Sequence, residues 1–117
     1  MSTAAADGLR AFLAPLLTGW RIQFGRWIDG TNTDRYCVIK PAGGLPASLV
    51  REPQFTVLLI GGLGDESTVP GAAADAVIEA MRAGSGSLVH LQPAEPVYSA
   101  TGDGRHVFEF AVSAITN

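Results

Sequence analysis

Residues 54–60 read Gln-Phe-Thr-Val-Leu-Leu-Ile, with Arg51-Glu-Pro before them and Gly61-Gly62-Leu63-Gly64 after. A run this apolar needs cover on both faces, so it predicts a central strand of a sheet. Pro53 is tolerated because it stands just before that strand. Beyond the glycine-rich loop, residues 70–83 predict a helix. Ser67 or Thr68 is placed to cap it, Pro70 suits its first turn and Gly84 ends it. Ala73, Val77, Ala80, Met81 and Gly84 fall on one slim stripe, able to lie close against a sheet.

The flanking sequence extends this pattern. Ala4 to Leu17 reads as an amphipathic helix burying Leu9, Phe12, Leu13, Leu16 and Leu17, weakened or ended by Pro15 and Gly19. Trp20 to Phe24 alternates as a half-buried strand. A polar turn over 29–34 leads into a second strand, Arg35 to Lys40, with Tyr36 and Val38 opposing Cys37 and Ile39. Pro41 to Pro46 is expected to leave the sheet as a flexible loop. Leu88 to Gln92 predicts a short strand, and Val97–Thr101 pairs with Arg105–Ala114 across Gly102-Asp103-Gly104, a strong hairpin signal. The expected fold is one α+β domain over residues 1–117: a mostly antiparallel sheet with an N-terminal helix and a second helix packed on it.

Composition narrows the function classes. The 117 residues are 47% apolar and only 16% charged, against roughly a quarter charged in an average soluble domain. That excludes a disordered chain and leaves little charge to cover a lone subunit, so some apolar surface is expected to be buried against other subunits. No apolar run approaches the ~18 residues of a membrane span, and Met1–Asp7 lacks the basic start of a secretory signal. Cys37, the only cysteine, excludes an internal disulfide or a cysteine-based zinc cluster and reads as a buried strand residue. With a single lysine and no basic cluster, nucleic-acid binding is not expected.

Charge is unevenly divided. Residues 1–60 carry Arg10, Arg21, Arg26, Arg35, Lys40 and Arg51 against Asp7, Asp29, Asp34 and Glu52. Residues 61–117 carry Arg82 and Arg105 against Asp65, Glu66, Asp75, Glu79, Glu95, Asp103 and Glu109. Opposite patches on one subunit suit a head-to-tail contact, although folding can equally mix these charges on one surface.

Three chemical readings fail on their own residues. The strand–glycine loop–helix order suggests a phosphate site. Yet the loop has no lysine, Ser67 stands where a dinucleotide fingerprint needs glycine or alanine, and Asp65 and Glu66 put negative charge where an anion would sit. Asp65 and Glu66 alone make a poor divalent-cation site, and acidic groups near a helix start have an ordinary electrostatic explanation. His90 and His106 belong to no zinc motif, and Gly84-Ser85-Gly86-Ser87 is a polar turn, not a nucleophile elbow. No catalytic residue, cofactor or metal site is expected, and the chain reads as a non-enzyme.

The residues do match a known pattern. The features are the N-terminal amphipathic helix, the aromatic segment Trp20-Arg-Ile-Gln-Phe-Gly-Arg-Trp27, and Tyr36-Cys-Val-Ile-Lys40 running into Pro41-Ala-Gly-Gly44. Arg51-Glu-Pro-Gln-Phe-Thr-Val57, the alanine-rich helix ending Met81-Arg-Ala-Gly84, and the closing Gly-Asp-Gly hairpin complete it. In order and texture, nearly the whole chain resembles the tail terminator (tail completion, minor tail) proteins of long-tailed, lambda-like bacteriophages. The resemblance implies a homo-oligomeric ring, typically a hexamer, in the virion tail after synthesis in the bacterial host cytoplasm. Such a ring caps the head-proximal end of the tail tube, stops tube polymerisation and provides the head-joining surface. Its implied partners are copies of itself, the tail tube protein and the head–tail connector protein, with no membrane.

Subunit or tube contacts are expected at Arg51 and Glu52 beside the central strand, at Asp65 and Glu66 in the glycine loop, and at Arg26, Asp34 and Arg35. Three alternatives stand beside this reading: a head–tail connector (adaptor or stopper) or other minor assembly protein, a small cytoplasmic enzyme with an anion site at Gly61–Gly64, and a generic dimeric binding module.

Overall fold

The computed structural model describes residues 3–28, 30, 33–41, 54–83 and 89–116. The elements run α1 (Thr3–Leu13), β1 (Trp20–Phe24), β2 (Arg35–Pro41), β3 (Gln54–Ile60), α2 (Thr68–Ala83), β4 (Val89–Pro93), β5 (Val97–Ala100) and β6 (His106–Thr116). The sheet is ordered β1-β2-β3-β6-β4, and β5 also pairs with β6. Every pairing is antiparallel except β1 with β2. The fold is α+β, as the residue pattern implies.

The alternation in β2 sorts the core onto two faces. Cys37 and Ile39 join Phe55, Val57, Leu59, Phe110 and Val112 in a large cluster closed by Leu9, Leu13 and Leu17 and by Ala74, Val77, Ile78 and Met81 of α2. Both helical segments therefore cover one face. Tyr36 and Val38 face the other way with Ile60 and Val107, in a smaller cluster packed by Trp27 and Leu58. This double cover is why the 54–60 run is almost unbroken in apolar residues. Each fully buried aliphatic or aromatic side chain here contributes about 1.5–3 kcal/mol.

Four expectations change in detail. The first helix ends at Leu13 and continues as turns, so Leu17 is buried while Leu16 is 40% exposed. The buried stripe of α2 is Pro70, Ala74, Val77, Ile78 and Met81; Ala73 and Ala80 stand at its margin, and Gly84 lies outside the described residues. Alanine fits either side of such a stripe, so bulky Ile78 decides the rotation. Pro41 remains in the sheet as the last residue of β2, opposite Phe55. A strand end tolerates the missing N–H. Finally, β4 and β5 both pair along the same strand, β4 with 112–116 and β5 with 106–109, joined by Ala94 N–H donating to the Ala111 carbonyl at 2.8 Å. They form one interrupted edge.

Candidate functional site

The glycine-rich loop after β3 is held by its own chain. Gly61 N–H donates to the His106 carbonyl (2.9 Å), and Gly62 N–H donates to Asp65 Oδ2 (2.9 Å). Asp65 N–H in turn donates to the Gly62 carbonyl (3.0 Å). Three amides of the loop, those of Gly61, Gly62 and Asp65, are thus already spent, one of them on a carboxylate that also stands where an anion would have to sit. Gly62 also passes so close to Thr33 that a Cβ there would overlap the Thr33 carbonyl. Only glycine allows that approach.

Two ion pairs tie neighbouring segments together here, and Asp65 belongs to the second. Arg21 of β1 donates from Nε to Asp34 Oδ2 at 2.8 Å. The adjacent Arg35, opening β2, donates to both Asp65 oxygens at 2.8 and 3.3 Å. The Arg35 guanidinium, helped by the Gly62 amide, holds the Asp65 carboxyl below its ordinary range against the opposing effect of burial. Arg35 is correspondingly raised, chiefly by its bond to Asp65. Of the residues expected at contacts, Arg35 and Asp65 therefore pair with each other and Asp34 pairs with Arg21, all within the subunit. Arg26 and Glu66 are exposed on its surface. Arg51 and Glu52 lie outside the described residues.

A second polar assembly was not anticipated from the residues. Arg105 is only 4% exposed; its guanidinium lies 4.6 Å from the Trp27 ring centroid and pairs with Asp103 at 2.9 Å. Trp27 stacks obliquely on Tyr36, whose hydroxyl accepts the Gly30 N–H at 2.8 Å. The hairpin turn thus seals the smaller core, with Arg105, then Thr101, holding the Asp103 carboxyl low. A cation two residues past an aspartate in a glycine turn was the available signal. Its aromatic partner 78 positions earlier in the sequence was not legible.

Two further reactive groups among the described side chains are occupied or muffled, while the His90 side chain lies outside them. Cys37 is buried, which pushes its thiol up to about 12 and keeps it protonated at neutral pH. His106 is half-buried, its Nδ1 sharing a 2.6 Å hydrogen bond with the Tyr98 hydroxyl. Among the described residues no three His, Cys, Asp or Glu side chains gather as metal ligands, and no helix is long and apolar enough to cross a membrane.

Among the described residues, the surface offers two sheet edges with no further strand on them. One is β1, ending at exposed Phe24; the other is β5, whose four residues are all exposed. A fold built around a braced loop and two open edges has the makings of an assembly part. Family comparison gives the decisive observation: the phage tail termination protein family matches residues 2–117. The chain belongs to that family. Comparison with curated proteins finds no match. As a tail termination family member the chain is a phage tail component. The braced loop and exposed edges then read as features of a structural subunit.

Proposed function

We propose that this tail termination family member forms a ring of six subunits on the head-proximal end of the tail tube. The ring halts tube polymerisation and presents the surface that joins the head–tail connector, and it performs no catalysis. The observation that carries this reading is the family match across almost the full chain. The geometry supports it: a rigid two-layer subunit keeps unlike edges at opposite sides of its sheet, as a heterologous ring contact requires. In this reading Arg26 and Glu66 are exposed contact residues. Asp34, Arg35 and Asp65 shape the contact surface from within the subunit. Arg51 and Glu52 are proposed polar contacts beside β3.

The test is tail tube polymerisation followed by electron microscopy with increasing amounts of this protein. The reading expects tubes that shorten with dose and carry one extra ring at one end only. Tubes of unchanged length, or protein bound all along them, would contradict it.

A further inference from the structure

The two open edges match each other in direction, apolar content and charge. β1 runs parallel to β2, β2 antiparallel to β3, β3 to β6, and β6 to β5. β1 and β5 therefore run in opposite directions at opposite edges. A neighbour displaced along the sheet without being turned over brings its β1 beside β5 in antiparallel order. Unpaired edge N–H and C=O groups are ready partners for such an added strand.

The apolar side chains agree on both faces. Phe24 stands on the helix-covered face, edge-on to Phe55 with centroids 6.3 Å apart. Tyr98 stands on that same face at the other edge, its ring 5.4 Å from Phe108. On the opposite face, Ile28 follows Trp27 at the β1 edge, while Val97 alternates with Tyr98 at the β5 edge. These four are exposed by 45% (Phe24), 50% (Tyr98), 61% (Ile28) and 60% (Val97). Beside Tyr98's strand, Pro96, Phe108, Gly71, Ala72 and Asp75 line an open groove of about 410 Å³.

Antiparallel order also places charge against opposite charge. The end of a neighbour's β1, with exposed Arg26, falls beside the start of β5, where the groove's Asp75 is exposed and Glu95, 3.4 Å from Arg82 of its own subunit, keeps much of its carboxylate in water.

We infer that the occupant of the β5 edge is the β1 edge of a second copy of this chain, joined as an antiparallel strand, with Phe24 entering the groove beside Tyr98 and Arg26 facing Asp75 and Glu95. This contact rests on the ring reading above and specifies its subunit junction. It leaves one unlike edge free on each terminal copy, so the junction repeats until the ring closes.

The test breaks each edge separately. Phe24→Glu and Arg26→Glu disable the β1 edge; Tyr98→Glu and Val97→Glu disable the β5 edge. Arg26 and Val97 are the second choices because their exposure leaves the fold untouched, which circular dichroism checks. Light scattering is run where wild type is assembled, with tail tube present if assembly needs it. Each single-edge variant is expected to raise the assembly midpoint by roughly 30-fold or more, the size of an interface hot spot. A mixture of one β1-edge and one β5-edge variant keeps a single intact junction and is expected to stop at a dimer. In parallel, Arg26→Lys offers an amine that a carbodiimide should couple to Asp75 or Glu95 of another copy, in solution or on tubes.

Variants that assemble at the wild-type midpoint, a mixture that yields no dimer, or cross-links confined to other carboxylates would overturn the edge contact and leave the ring standing. Wild type that forms no ring in solution or on tubes would remove the ring reading, and this junction with it.

Discussion

At the residue scale, the side chains that the sequence marks as contact points divide by whether they already have work inside the subunit. Asp65 is the clearest case. It accepts from Arg35 and from Gly62, and both bonds favour the carboxylate. Its folded pKa lies below its unfolded value of about 4, so its contribution is present above that pH and fades as pH falls through the folded value. Asp65→Asn is expected to cost about 1 kcal/mol at neutral pH, a charged hydrogen bond discounted for the partial exposure of the pair. Urea midpoints should show the gap to wild type closing below about pH 4. A gap independent of pH would mean that the Arg35 pairing adds no stability. Sequence could show that Asp65 was an unlikely phosphate neighbour. It could not show the partner, because Arg35 is thirty positions away and only the β2–β3 register brings the two together.

At the element scale, periodicity carried most of the fold. The dense 54–60 run is central because both faces are covered, and the Gly-Asp-Gly signal does close a hairpin, with Ala100 opposite His106. The parallel β1–β2 pair escaped because alternation identifies a strand without naming its neighbour or direction. The end of α1 escaped for a different reason. Leu9, Leu13 and Leu17 hold the apolar spacing past Leu13, where the helix stops just ahead of Pro15, so the spacing alone does not mark the boundary. That boundary makes a contrast between adjacent leucines. Leu13→Ala, at a fully buried site, is expected to cost about 2–5 kcal/mol. Leu16→Ala should stay within about 1 kcal/mol, since much of its side chain is already in water. Equal losses in denaturant unfolding would show that the helix runs on and buries both.

At the scale of the whole molecule, one sheet separates two unlike edges, and family membership places that sheet in a phage tail. The charge division noted in the sequence is only partly kept in the fold, since Arg21 pairs with Asp34, Arg82 with Glu95 and Arg105 with Asp103 inside the subunit. The composition, 47% apolar and only 16% charged, is what raised the expectation of apolar surface buried between subunits. The central claim is that the subunit exists to close a ring. The most direct measurement is mass by light scattering across a dilution series, with and without polymerised tail tube. The account predicts a discrete closed oligomer, in solution or formed only when tube ends are present. A strict monomer or two-fold dimer, indifferent to tubes at every concentration, would contradict it.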